Sequence, residues 1–193
     1  MQYIFPCKPN RVEKDSPLLH SLNDTPEWAA EVKRNGWRCL AMMDENGKLT
    51  LWTRHKTVIN DPLVALRELL GAMLPKVTLV DGEVLERRTK QIKGEFYAFD
   101  LLWLRGRPVW HLPLTERRKG LEQVIIPDGV HITIPEWRFE DKIGYYEQNI
   151  EGEDVEGIVI KRIDSKYMPS FTRCLQHPLW LKLKKKEDHL RAA

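Results

Sequence analysis

Apolar and polar positions change period several times along the chain. Residues 1–26 hold four prolines (Pro6, Pro9, Pro17 and Pro26) and few periodic apolar positions, which predicts an extended lead-in. From Trp28 onward the pattern turns to strand. Segments 36–43 and 48–53 flank Asn46-Gly47, a pair that accepts the positive φ of a tight hairpin. Asn60-Asp61-Pro62 predicts a helix start, a capping side chain before a first-turn proline. Leu63, Leu66, Leu70 and Met73 then recur on one helical face, and Pro75 ends it. Strands are predicted over 77–86 and 95–104, joined by a charged connection (Arg87, Arg88, Lys90, Lys93) and followed by an Arg105-Gly106 turn. Thr115 is placed to cap a helix reaching Val124, a strand covers 130–134, and a second helix covers 139–149. Two more strands, 155–163 and 179–184, complete the pattern. Strands dominate and helices cover them, so the predicted class is α+β, mainly antiparallel sheets flanked by helices.

Composition narrows the class without naming a function. The chain has 193 residues, 42% hydrophobic and 31% charged, which fits one globular domain with a real core. No apolar run approaches the ~18 residues of a membrane span, and Met1 to Pro6 is too short for a signal peptide. Cys7, Cys39 and Cys174 are odd in number and lack C-x-x-C spacing, which predicts free thiols in a reducing, cytoplasmic setting. The six histidines are scattered without ligand spacing, against zinc. Net charge is +3, and all of it falls in residues 182–193, where Lys182, Lys184, Lys185, Lys186 and Arg191 face only Glu187 and Asp188. A basic edge on a neutral body suits a polyanionic partner. Trp180, Leu181 and Leu183 interleave with these lysines, so the edge is expected to be a half-buried strand.

The candidate chemistry centres on Lys33, in the run Glu31-Val32-Lys33-Arg34-Asn35-Gly36-Trp37-Arg38. After it come, in order, Thr53-Arg54, Asp81-Gly82-Glu83, Phe96-Tyr97-Ala98-Phe99-Asp100, Glu156-Gly157-Ile158-Val159-Ile160-Lys161 and Trp180-Leu181-Lys182-Leu183-Lys184. This ordered series, over positions 27–186, resembles the nucleotidyltransferase motifs of ATP-dependent DNA ligases, shared in part by RNA ligases and capping enzymes. A stretch Tyr167-Met168-Pro169-Ser170, then Arg173, also resembles a Y-x-P-G-x-R segment of that family, with Ser170 replacing the glycine.

The resemblance implies the nucleotidyltransferase fold, ATP as substrate, Mg²⁺ (or Mn²⁺) as cofactor, and nicked duplex DNA as partner of a monomer with no membrane association. It implies that Lys33 becomes adenylylated. A free lysine, pKa about 10.4, must lose its proton to attack, and burial with flanking Arg34 and Arg38 favours that loss. Gly36 is expected to let the backbone approach the nucleotide. Glu31, two residues before Lys33 on a strand, shares its face and is expected at the adenine, on which Phe99 stacks. Arg38, Glu83, Lys161, Lys182 and Lys184 are further expected nucleotide ligands. Glu156, with Glu83, is expected to hold the metal, and Arg54 to reach the 5′-phosphate of the nick. In the 156–161 run, alternation puts Glu156, Ile158 and Ile160 on one face and Lys161 on the other, with Gly157 allowing a bulge.

Two departures stand out. Asn35 replaces the aspartate of K-x-D-G, keeping its shape and losing its charge, which favours an RNA ligase as the alternative. Relatives usually continue past the last strand into an OB-fold domain, so either an excised domain or a minimal ligase is expected, with 1–26 as lead-in, 27–186 as the adenylylation domain and 187–193 as a tail. A guanylyltransferase, or a binding module that has kept the fold without catalysis, are the remaining alternatives.

Overall fold

The computed structural model describes residues 2–60, 63–85 and 94–185. In chain order the elements are β1 (Lys8–Arg11), α1 (Pro17–Leu22), β2 (Trp28–Arg34), β3 (Trp37–Met43), β4 (Leu49–Thr53), α2 (Val64–Met73), β5 (Thr78–Val84), β6 (Phe96–Leu104), β7 (Arg107–Pro108), α3 (Leu114–Val124), β8 (Ile132–Thr133), α4 (Lys142–Asn149), β9 (Val155–Arg162) and β10 (Gln176–Lys184). They form two open sheets. One has the order β1-β10-β9-β2; the other has the order β4-β3-β5-β6-β7, with β8 paired to β6. Pairing is antiparallel except for β1 with β10 and β8 with β6. The α+β, mainly antiparallel class predicted from the sequence is the class observed.

Strand alternation sorts side chains into three apolar clusters. Cys39 and Ala41 of β3 turn toward Leu66, Leu70 and Leu121 of α2 and α3, whereas Leu40 turns the other way onto Leu79, Leu102, Tyr167 and Trp180. That second group fills the space between the two sheets. On the outer face of the smaller sheet, Ile158, Ile160, Leu181 and Leu183 pack on Leu19 and Leu22 of α1 and Tyr146 of α4. The layers therefore run helix, sheet, sheet, helix.

Several local expectations need correction. Residues 1–26 are not a plain lead-in: they carry β1 and α1, and Tyr3, Ile4 and Cys7 are buried in the layer between the sheets. Six residues of helix contain too few turns to show a period, and the prolines obscure the strand. Thr115 is not a cap; its amide donates to the Ile163 carbonyl inside a helix whose N-cap is Pro113. The second helix starts at Lys142, not 139, where Asp141 accepts from the Gly144 amide at 3.1 Å. α2 begins at Val64 without a side-chain cap; Asp61-Pro62, the charged connection (Arg87, Arg88, Lys90, Lys93), Lys186 and Arg191 lie outside the described residues. The hairpin at Asn46-Gly47 does form, with Gly47 at φ 82° and the Asp44 carboxylate accepting from the amides of Asn46 and Lys48.

Asp100 lies in an otherwise apolar strand, and its charge is balanced inside the protein. Arg117, fully buried on α3, donates to both Asp100 oxygens at 2.7 and 3.0 Å and to the carbonyls of Leu112 and Ser165. Removing one partner of a buried pair leaves the other without solvent. Arg117→Ala is expected to lower stability by about 3–5 kcal/mol; a urea midpoint within error of wild type would contradict that account.

Candidate active site

Lys33 is the next-to-last residue of β2, and its position is tied to a break in the neighbouring strand. Lys33 pairs with Gly157, yet Arg34 pairs with Val155, so Glu156 is an extra residue with no partner across the ladder. Gly157 has φ 147°, and a Cβ there would lie 1.9 Å from the Leu183 carbonyl oxygen of β10. Only glycine permits that approach. The bulge turns Glu156 away from the core face kept by Ile158 and Ile160 and onto the face of Lys161. Simple alternation had placed it with the isoleucines. Glu156 Oε2 accepts from Lys33 Nζ at 2.6 Å and lies 2.8 Å from Lys184 Nζ. Burial would raise the Glu156 pKa, but Lys33 and Lys184 overcome this and hold it below the usual carboxylate value.

The larger sheet supplies the facing groups. Arg38 of β3 lies opposite Glu83 of β5 in register, and Gly82 leaves room for the Phe96 ring, which a Cβ would meet at 2.5 Å. Asp81 takes both arms of a fork from Arg38, each at 2.5 Å, and a 2.8 Å hydrogen bond from the Tyr167 hydroxyl. That hydroxyl accepts from the Cys7 amide at 2.9 Å. Asp81 thus anchors Arg38, whose guanidinium lies 4.5 Å from the Phe99 ring centroid. Burial raises the Glu83 pKa; Lys33 and Arg38 oppose the shift, and Glu156 and Asp81 add to it. Gly36 lines the cleft, and its bare Cα also makes room for the Leu85 side chain and the Val84 carbonyl, each of which would lie 2.6 Å from a Cβ at this position.

Two connected depressions result. A notch of about 60 Å³ is lined by Glu31, Tyr97, Phe99, Val159, Lys161 and Trp180 among others. A cleft of about 630 Å³ is lined by Lys8, Arg54, His55, Glu156, Lys182 and Lys184 among others. Pro9, Lys33, Arg38 and Glu83 border both. In the notch Glu31 and Lys161, 4% and 3% exposed, form an ion pair, and Lys161 Nζ lies 4.8 Å from the Phe99 centroid and 5.1 Å from that of Trp180. Glu31 Oε2 is buried and has no hydrogen-bond partner, an acceptor aimed at nothing yet.

This arrangement can be set beside known proteins. Residues 84–184 match the family model described as the ATP dependent DNA ligase domain. The chain belongs to that family. Its relatives include the multifunctional non-homologous end joining protein LigD of Mycolicibacterium smegmatis, 28% identical over 156 residues, which are 74% of this chain and 20% of that protein. DNA ligase 1 of Schizosaccharomyces pombe is 33% identical over 94% of this chain and 28% of that protein. The ligase domain here thus spans only a fifth to a little over a quarter of those relatives' lengths. Among solved structures, mycobacterial DNA ligase D complexed with ATP and MES aligns with TM-score 0.69 at 25% identity, covering 94% of this chain and 60% of that one. An archaeal ATP-dependent RNA ligase shares the fold, with TM-score 0.57 at 19% identity over 92% of this chain and 47% of that one.

Within the ligase domain, the predicted residues Glu31, Lys33, Arg38, Glu83, Phe99, Glu156, Lys161, Lys182 and Lys184 all border the notch or the cleft. Arg54, in the turn after β4, lies at the cleft with its Nε 3.0 Å from His55 Nε2. Asn35 sits between β2 and β3, its amide donating to the Asp154 carbonyl at 2.7 Å. Trp180 and Lys8 were not foreseen as lining residues, and Tyr167 was assigned no task. Trp180 was within reach, since it lies two residues before Lys182 on the same face of a strand; Lys8 lay in the supposed lead-in.

Glu156 carries a pH signature. A carboxyl held below its ordinary pKa in the fold stabilises the fold above that ordinary value and loses the contribution as pH falls through its folded one. Glu156→Gln is therefore expected to melt below wild type at pH 7, with the gap closing in acid below the usual carboxylate range. A gap constant with pH in thermal melts would remove the charge pairing as its source.

Proposed function

We propose that this domain carries out the nucleotidyl-transfer chemistry of ATP-dependent nick sealing, with Lys33 as the nucleophile. The observation that carries the reading is the place of Lys33 Nζ. It sits where a notch with an unsatisfied buried acceptor joins a cleft edged by Lys182 and Lys184. Membership of the ligase family and the alignment to a ligase complexed with ATP support it.

In the first step the Lys33 amine attacks the α-phosphorus of ATP, the bond to the β-phosphate oxygen breaks, and pyrophosphate leaves. The product is a phosphoramidate, lysyl-AMP. In the second, a 5′-phosphate oxygen of the nick attacks the same phosphorus and the lysine nitrogen departs. In the third, the 3′-hydroxyl attacks the activated 5′-phosphate and AMP leaves. Each is an in-line displacement governed by positioning and charge.

Glu31 Oε2 accepts from the adenine amino group, and Phe99 and Val159 border the base. Lys182 and Lys184 stand where charge builds at the phosphate. Arg54, in the turn after β4, is suited to fork the 5′-phosphate dianion. Lys33 begins hydrogen-bonded to Glu156, so attack requires that contact to open. The pair Glu83 and Glu156 fits a divalent cation: both are oxygen donors, and Glu83 is a half-buried carboxyl whose charge is disfavoured by desolvation and by its acidic neighbours, a cost that a cation would relieve. Among the described residues no three His, Cys, Asp or Glu side chains cluster, so Mg²⁺ there would keep water or phosphate oxygens as its remaining ligands. When bound, it would supply positive charge to the phosphates.

Intact mass after incubation with ATP and Mg²⁺ is expected to show one added AMP, acid-labile and absent from Lys33→Ala. Lys33→Ala should still seal a nick carrying a ready-made 5′-adenylate; no AMP on wild type under these conditions would remove the reading. The relatives named DNA ligases favour DNA as the strand sealed, while Asn35 favours RNA. Ligation of a nick with a deoxyribose 3′-end is expected to be at least as fast as with a ribose 3′-end, and a strong ribose preference in gel assays would reverse the assignment.

A further inference from the structure

The edge strand β1 adds a cation to the cleft that none of the recognised motifs contains. β1 runs parallel to β10, with Lys8 beside Gln176 and Arg11 beside Lys182. Lys8 is exposed, and its side chain lines the cleft together with Lys182 and Lys184. Its neighbour Pro9 borders both notch and cleft, whereas Lys8 borders the cleft alone. Lys8 therefore belongs to the cleft and not to the notch, whereas Lys33 stands where the two meet.

Several of the other cations nearby are paired with carboxylates, and Arg54 contacts His55. Lys33 and Lys184 hold Glu156, Arg38 holds Asp81, and Arg11 is 2.8 Å from Glu13. Lys8 and Lys182 have no ion pair with any described residue. Burial lowers the Lys182 pKa, and Lys184, Lys33, Lys8 and Arg11 lower it further, the mark of positive charge in excess of what local carboxylates balance. Such a site is completed by an anion.

We propose that Lys8 is a binding residue for the polyphosphate tail of the nucleotide, holding with Lys182 the two phosphates that depart as pyrophosphate. This rests on the nucleotidyl-transfer reading above. The alternative, a backbone phosphate of the nucleic acid, is less well matched. Lys8 stands on the small sheet with the lysines assigned to the nucleotide, whereas Arg54, the candidate for the nick phosphate, stands in the turn that follows β4 of the large one.

The test uses inorganic tripolyphosphate as probe, in isothermal titration calorimetry, with wild type, Lys8→Met, Lys8→Arg and Lys119→Met. Lys119 pairs with Glu116 on α3 at the surface and controls for the loss of one positive charge. Lys8→Met is expected to weaken tripolyphosphate roughly tenfold, the scale of one charge-assisted contact, and to leave AMP affinity unchanged. Lys8→Arg should restore most of the loss and Lys119→Met should match wild type. KM for ATP in lysyl-AMP formation should rise in parallel, with sealing of a pre-adenylylated nick unaffected. The proposal is overturned if wild type does not bind tripolyphosphate, if Lys8→Met binds it like wild type or no worse than Lys119→Met does, or if the defect appears only with pre-adenylylated nicked DNA. Failure of the parent reading looks different: no lysyl-AMP forms on wild type, while tripolyphosphate binding and its dependence on Lys8 remain.

Discussion

The tight approach of Gly157 of β9 to the Leu183 carbonyl of β10 is the constraint on which the site depends. A side chain there would push apart the two central strands of the small sheet. Without one, the sheet stays tight and β9 accommodates one residue too many, and that residue is Glu156. A carboxylate that regular alternation would bury among isoleucines instead meets two lysines from the strands on either side. The arrangement is local in origin, and its reach spans three strands.

Buried charge forms a second level of organisation. Asp81 and Asp100 are neighbours across β5 and β6, in strands otherwise suited to a dry core. Each is met by an arginine fork, Arg38 for one and Arg117 for the other. The pairs do different work. Arg117 fastens α3 and the carbonyls of two loops to Asp100, whereas Arg38 is held by Asp81 against the Phe99 ring. Tyr167 joins Asp81 from the loop before β10, so the anchor of Arg38 draws on both sheets and, through the Cys7 amide, on the N-terminal segment.

Much of this was legible in the residues. Long strands with clear alternation, such as 36–43 and 155–163, and the Asn46-Gly47 turn were placed to within a residue or two, because both period and turn chemistry are local. So was the convergence of Lys33, Glu83, Glu156, Lys182 and Lys184, through motif order. What escaped was non-local. Nothing near Lys8 reveals that it will lie beside a strand more than 160 positions away, and nothing near Gly36 reveals that Leu85 will fill the space above it. The direction of Glu156 depended on a bulge that glycine permits but does not announce. The helix ends at Val64 and Leu114 lack side-chain caps, so capping rules could only misplace them.

The pairing of β1 with β10 has a consequence for how the protein is made. Strand β1 finds its sheet neighbour in β10, and Lys33, near the start, meets the carboxylate it shares with Lys184 only after most of the domain exists. The large sheet can close on itself during synthesis, since β3 through β7 are contiguous in sequence and pair with one another. The small sheet must wait for residue 184. Emergence of the chain from the ribosome therefore imposes an order of assembly, large sheet first and cleft last, with the long-range closure as the slow event. The cleft edged by Lys182 and Lys184 is incomplete until β10 is in place.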